Sequence, residues 1–266
     1  MSNEICYPNA KLNLGLNILS KRSDGYHELE SLFIPYDGIK DVLEVVRPAK
    51  DSDAGMYLYG IRYDGAPEDN LCWKAYELLA EKYDIPPLAI HLYKQIPVGA
   101  GLGGGSADAA FTLKTISRMC GLGLSEEVLA AYSAKLGSDC PFFIFNRPMI
   151  ARGRGEILTP YDIDLSAWRI ELATPPVSVS TREAYAGISP HEPEVPLQDA
   201  LQMDIAEWHT ALKNDFEPSV FAAHPEIAAI KKEFYQQGAV YASMSGSGSS
   251  VFALFPKYSY LCPLFQ

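Results

Sequence analysis

Five of the seven residues from position 99 to 105 are glycine, in the run Pro97-Val98-Gly99-Ala100-Gly101-Leu102-Gly103-Gly104-Gly105-Ser106. Glycine reaches positive φ without strain and sets no Cβ between backbone N–H groups and a ligand, so this run can fold its donors around an anion. Downstream, Ala109, Leu113, Ile116 and Cys120 fall at steps of 4, 3 and 4, which places a helix from about Ser106 to a stop at Gly121. A loop entering a helix in this way aims several N–H donors and the positive end of the helix dipole at one point. Pro97, Gly99, Gly101, Leu102, Gly103, Gly104, Gly105 and Ser106 are therefore read as a phosphate cradle, with the Ser106 hydroxyl in reach of a phosphate or its Mg²⁺.

Two other nucleotide loops compete for the same residues. Gly99-x-Gly101-x-x-Gly104 matches the dinucleotide fingerprint in form, but residues 94–98 make too long a link between strand and first glycine. Glu126 and Glu127, which would have to serve as its ribose-binding acid, are explained as helix-opening charges. A Walker A loop needs a lysine where Gly105 stands.

The elements that must position this loop are short and mixed. Residues 12–19, 41–46 and 89–93 read as strands, with Ser23-Asp24-Gly25 in a turn between the first two. A helix is expected over 71–83, capped by Asp69-Asn70, and another opens at Ser125 with Leu129, Tyr132 and Leu136 inward. Residues 142–145 read as a buried strand. Further on, helical patterns at 199–203 and 226–236 precede a small-residue run at 243–250 and a strand at 251–255. Without regular strand–helix alternation the fold class is α+β. A domain boundary is placed near residue 152, in Arg152-Gly153-Arg154-Gly155, giving domains 1–152 and 153–266.

The chain has 266 residues, 48% of them hydrophobic and 21% charged, which suits a globular protein of one or two domains. Its net charge of −11 argues against a nucleic-acid partner, since phosphate backbones select basic faces. Five scattered cysteines without a Cys-x-x-Cys pair fit a reducing cytoplasm better than a disulfide framework. No basic and apolar leader opens the sequence, and no apolar run approaches the ~18 residues of a membrane span, so a cytoplasmic protein with no membrane partner is expected.

Three segments in this order resemble the motifs of the GHMP kinases: Pro8-Asn9-Ala10-Lys11-Leu12-Asn13-Leu14, the glycine loop, and Ser245-Gly246-Ser247-Gly248 before Val251. The resemblance spans nearly the whole chain. It implies a two-domain GHMP kinase fold, with an N-terminal half like domain 2 of ribosomal protein S5 and a ferredoxin-like C-terminal half, and with ATP and Mg²⁺ as cofactors. Arg22-Ser23-Asp24-Gly25-Tyr26-His27 and Leu136-Gly137-Ser138-Asp139-Cys140-Pro141 resemble the branch that phosphorylates a cytidine diphosphate-linked polyol in non-mevalonate isoprenoid precursor biosynthesis. Its relatives usually continue beyond the strand at 251–255 into a further helix and strand, whereas residues 257–266 carry little helical pattern.

Roles follow residue by residue from that resemblance. Asp139 is the base for the acceptor hydroxyl, and Lys11 stands beside it. From the residues alone, Lys11 lies in an apolar strand where burial would need a partner such as Asp139 or a phosphate; a solvent-facing edge lysine is the alternative. Tyr26 stacks on the cytosine, His27 hydrogen-bonds its edge and Tyr185 closes its other face. Asn13 contributes to the acceptor site, while Asn70 and Lys94 sit near the adenosine, with a solvated strand lysine as the alternative for Lys94. No second protein ligand for Mg²⁺ stands out beside Ser106.

Two other functions are weighed against this one. A homoserine or mevalonate type of GHMP kinase would have no use for the Tyr26-His27 pair. A nucleotide-binding module without chemistry would have no use for Lys11 and Asp139 together.

Overall fold

The computed structural model describes residues 3–61 and 65–257. The expectation for the C-terminal tail from residue 258, and Cys262 with it, lies outside these residues.

Helices and strands mix in three sheets, in keeping with the expected α+β class. A four-stranded sheet runs in the order β1 (Asn3–Cys6), β4 (Val42–Val46), β6 (Ala89–Lys94), β5 (Gly55–Gly60). Leu43, Met56, Ile90 and Leu92 on its inner face pack with Cys72 of α1 (Leu71–Ala80). The second sheet, β2 (Asn9–Lys21), β3 (His27–Lys40), β7 (Met149–Gly153), β8 (Ile157–Pro160), is antiparallel throughout. The third holds β10 (Tyr241–Met244), β11 (Val251–Pro256) and β9 (Trp168–Ala173).

Helix α2 (Gly104–Met119) lies under the first sheet and packs on α1 and on α4 (Cys140–Phe145), with α3 (Glu126–Ser133) beside α4. The C-terminal part adds α5 (Thr181–Ala186), α6 (Leu197–Gln202), α7 (Trp208–Ala211), α8 (Glu217–Ala223) and α9 (Pro225–Gln236).

Strand β2 ties the two halves together. Ten successive residues from Asn9 to Ile18 are buried, so both of its faces are covered. Leu12 and Leu14 pack with Leu197, Trp208, Tyr241 and Phe252 from the C-terminal half, and Leu16 and Ile18 with Phe216, Val220 and Met244. Alternation gives no warning of this, and it drives Asn9, Lys11 and Asn13 into the interior with their apolar neighbours.

Two expectations are corrected, and one strand was not anticipated. Residues 142–145 belong to helix α4, not a strand; Pro141 in its first turn presets a helical φ, and a short apolar run buried on every side has no period to read. Helix α2 begins at Gly104 rather than Ser106, because Gly103, at φ 69°, serves as its cap. Strand β3 has no clear signature in the sequence, since Pro35 and Gly38 punctuate it like a turn. Residue 152, where the boundary was expected, lies within β7, and the hairpin with β8 carries the same sheet on to Pro160.

Candidate active site

A cavity of about 970 Å³ opens between the two halves, walled by the glycine loop, β2, the start of β3, the Asp139 turn and α5. Its floor is the glycine loop. Gly99, Gly101 and Gly103 all take φ near 70°, a left-handed conformation that glycine reaches without strain. Helix α2 then starts with no side-chain cap and no acidic residue in its first turn, so its free N–H groups and positive end face the cavity at Gly104, Gly105 and Ser106.

The loop is held in place from two directions. The Lys11 N–H donates to the Leu102 carbonyl at 2.9 Å, and the Ser245 hydroxyl donates to the Gly101 carbonyl at 2.9 Å. The Ser250 N–H donates to the Ala100 carbonyl at 3.2 Å. The approach is so close that a Cβ on Gly101 would overlap the Ser245 carbonyl oxygen. The small-residue run at 243–250 thus packs against the glycine loop, as the resemblance of Ser245-Gly246-Ser247-Gly248 to a GHMP kinase motif implied. Leu102 differs from its neighbours: its side chain is buried in the core, outside the cavity lining, and it anchors the loop through its carbonyl.

Lys11 and Asp139 meet at the wall. The Lys11 ammonium lies 3.4 Å from Asp139 Oδ2, donates to Asn13 Oδ1 at 2.8 Å and sits 4.2 Å from the centre of the Phe33 ring. These contacts offset the cost of burying the charge, which rules out the solvent-facing alternative. Asn13 is fixed in turn by donating to Ser31 Oγ at 3.0 Å. Asp139 precedes α4 but makes no capping hydrogen bond there, so its carboxylate is turned to Lys11 and the cavity. Next to it, burial pushes the Cys140 thiol up to about 12, leaving a neutral S–H that shares a hydrogen bond with Ser106.

Lys94 is not a solvated strand lysine. It is 5% exposed and donates to Asp41 Oδ2 at 2.5 Å and Asp108 Oδ2 at 2.7 Å, beneath Gly104. Burial opposes its charge, but Asp108 and Asp41 outweigh burial and raise its pKa. Asp108 shows the counterpart: burial lifts its carboxyl to about 8, with Lys94 pulling back and Asp41 pushing further. No sequence pattern singles out Asp108, which stands one turn into a helix among alanines. An acid at that place, beneath a phosphate loop, is its only signal. Asn70 caps α1 by accepting from the Cys72 N–H at 2.9 Å, and it lines the cavity with Pro97 and Lys94.

At the far end stand the aromatics. The His27 and Tyr185 rings stack at 4.8 Å with 22° between their planes, so Tyr185 rests directly on His27. Burial first, and nearby Asp139 second, raise the Tyr185 hydroxyl pKa. Tyr26 is 56% exposed, and the Arg154 guanidinium covers one face of its ring at 4.9 Å. Arg154 was seen in the sequence only as part of a boundary, yet it lines the cavity.

Two family profiles match this chain, "GHMP kinases N terminal domain" over residues 70–147 and "GHMP kinases C terminal" over residues 197–259. A 4-diphosphocytidyl-2-C-methyl-D-erythritol kinase of Bacteroides thetaiotaomicron is 52% identical over 252 residues, covering 94% of this chain and 92% of that protein. The like-named protein of Cytophaga hutchinsonii is 46% identical, over 94% and 92%. A crystal structure of a 4-(cytidine 5′-diphospho)-2C-methyl-D-erythritol kinase superposes with a TM-score of 0.76 at 32% identity, covering 94% of this chain and 90% of that one. A homoserine kinase from Cytophaga hutchinsonii, at 18% identity and a TM-score of 0.64, shares the fold. The chain thus belongs to the GHMP kinases, ATP-dependent phosphotransferases of two-domain fold, and within them to the family of 4-diphosphocytidyl-2-C-methyl-D-erythritol kinases.

Proposed function

We propose that the protein transfers the γ-phosphoryl group of ATP to the 2-hydroxyl of 4-diphosphocytidyl-2-C-methyl-D-erythritol, a step of non-mevalonate isoprenoid precursor biosynthesis. The observation that carries this reading is the Lys11–Asp139 pair on the wall of a cavity with a phosphate cradle on its floor and Tyr26, His27 and Tyr185 at its far end.

The triphosphate lies along the N–H groups of Gly101, Gly103, Gly104 and Gly105, with Pro97, Asn70 and Lys94 toward the adenosine. The loop fits it: its glycines line the cavity at the uncapped start of α2, and Gly99 and Gly105 leave their Cβ space open. Tyr26 and His27 take the cytosine of the acceptor, with Tyr185 moving off His27 to admit it, and Asn13 orients the polyol. Asp139 accepts the proton of the attacking hydroxyl as the new P–O bond forms and the bond to the ADP oxygen breaks. Lys11 holds the carboxylate in place and shields the charge that builds on the attacking oxygen. The transition state is loose, so this positioning carries most of the catalysis.

Among the described residues no group of three or more His, Cys, Asp or Glu side chains could hold a metal. The Ser106 hydroxyl, in the first turn of α2 and lining the cavity, would be the protein contact for Mg²⁺ carried on the ATP phosphates, where the ion would supply charge neutralisation. The free thiols of Cys6, Cys72, Cys120 and Cys140 suit a reducing cytoplasm. Among the described residues no helix is long and apolar enough to cross a membrane.

Coupled measurement of ADP release with MgATP and a panel of acceptor alcohols tests the reading. Turnover with the cytidine diphosphate-linked polyol, and little with homoserine or mevalonate, is expected. Efficient use of either small alcohol while the cytidine compound is ignored would overturn the choice of acceptor.

A further inference from the structure

Four cations line the cavity: Lys11, Lys94, Arg154 and Arg182. Two are already committed, since Lys11 and Lys94 are buried against Asp139 and against Asp41 with Asp108. Arg154 is different. Its side chain is 40% exposed, its Nε meets the Glu156 carboxylate at 3.4 Å, and its charge also acts on the nearby Asp24 carboxylate without a direct contact. The two terminal nitrogens carry no protein hydrogen bond among the described residues, and the guanidinium plane rests over Tyr26.

The turn that carries Arg154 is firmly built. The Gly155 N–H donates to the Arg152 carbonyl at 3.1 Å, and the Gly153 N–H donates to Glu28 Oε1 at 2.8 Å. Glu28 is itself held by Arg22 at 2.9 Å, and the Arg154 N–H donates to Glu156 Oε2 at 2.6 Å. This turn abuts both ends of the acceptor site. A Cβ on Gly155 would lie 3.4 Å from Asp139 Oδ1, while the Arg154 side chain reaches Tyr26. In an acceptor whose base sits at Tyr26 and whose reacting hydroxyl sits at Asp139, the segment spanning that turn is the diphosphate.

We propose that Arg154 is a diphosphate-binding residue that changes partners when the acceptor enters. It leaves the Tyr26 ring face to the base and turns its terminal nitrogens, as a planar fork, onto the diphosphate oxygens. Glu156 keeps Nε throughout. A guanidinium suits this exchange because it stacks on aromatic faces and also pairs bidentately with phosphate. The ring contact it gives up is an exposed one, worth less than a charge-assisted pair of hydrogen bonds. The proposal rests on the cytidine-linked acceptor proposed above.

The test is a pair of calorimetric titrations, cytidine and CDP, on wild-type protein and on Arg154→Ala. Wild-type protein should bind CDP more tightly than cytidine. In Arg154→Ala, CDP should weaken by about tenfold to a hundredfold, the range for hydrogen bonds to a charged group, while cytidine holds or tightens. Arg154→Lys should recover part of the CDP affinity, and the KM for ATP should not move. An unchanged ratio of CDP to cytidine affinity in Arg154→Ala overturns the proposal, whether neither affinity moves or both fall equally; the second case would make Arg154 a support for Tyr26 alone. A wild-type protein that binds neither compound removes the cytidine-linked acceptor itself, and this proposal with it.

Discussion

The Lys11 ammonium and the Asp139 carboxylate stand 3.4 Å apart, the lysine side chain 4% exposed and the aspartate 33%. The pair is thus asymmetric: a buried charge faces a carboxylate that is open on its other side. A fully buried pair would serve structure alone, but here Asp139 retains an oxygen, Oδ1, for a proton from the cavity.

Asp139→Asn should lower kcat by on the order of 10²-fold or more, the usual worth of a positioned base, while ATP affinity measured by calorimetry stays near wild type. Lys11→Ala should lose turnover to a similar degree. Near-normal kcat in the asparagine variant would remove Asp139 from the base role.

The glycine loop separates packing from ligand contact. A methyl group on Gly101 would meet the Ser245 carbonyl at a φ of 76°, whereas on Gly105 it would meet only Leu71 Cδ1 at 3.9 Å, with no unusual φ. Gly101→Ala should therefore lower the melting temperature by several degrees, at roughly 2–4 °C per kcal/mol for a chain of this size. Gly105→Ala should melt near wild type but bind ATP more weakly, because its Cβ space faces the cavity. Thermal denaturation and calorimetry on both variants decide the matter; equal melting temperatures would mean that Gly101 is not a packing contact.

Much of this site was legible in the sequence because its parts are local. The glycine loop and the cap at Asn70 declare themselves through backbone requirements that only certain residues meet, while the small-residue run at 243–250 is placed by its resemblance to a family motif. The pairing of Lys11 with Asp139 was expected, from the family resemblance and from the partner a buried lysine needs; what alternation does not show is that β2 is covered on both faces, which buries Asn9, Lys11 and Asn13 together. Strand β3 was hidden for the opposite reason: Pro35 and Gly38 carry local signals that the pairing with β2 and β7 overrides. The Asp41–Lys94–Asp108 cluster needs three elements together, and no spacing along the chain encodes it.

That cluster has a consequence for pH. Asp108 holds its proton to about pH 8 in the native state, chiefly through burial, whereas an unfolded aspartate loses it near pH 4. Between these values the native state binds more protons, so this group makes stability fall as pH rises, by at most about 1.4 kcal/mol per pH unit. Asp108→Asn keeps an acceptor for Lys94 but removes the titration. Melting curves from pH 4 to 8 should decline less steeply for the variant, and parallel curves would show that Asp108 ionises without penalty.

The last prediction concerns the base of the acceptor, and it begins from the stack of His27 on Tyr185. Rings 4.8 Å apart leave no gap for a third, so cytosine cannot enter between them while they remain stacked. The proposed site for it is a face of Tyr26, with Tyr185 expected to swing aside and cover it. Remote binding energy of this kind holds the reacting hydroxyl at Asp139, so losing the base contact should reduce turnover as well as affinity. Tyr26→Ala should cost about 1–3 kcal/mol in kcat/KM for the cytidine-linked acceptor, the usual worth of a stacked base, with the KM for ATP unchanged. Methylerythritol 4-phosphate, which lacks the base, should be a very poor substrate of wild-type protein and no worse with the variant. Steady-state kinetics with both acceptors measure this directly. A Tyr26→Ala enzyme that handled the cytidine-linked acceptor as well as wild type would place the base elsewhere in the cavity.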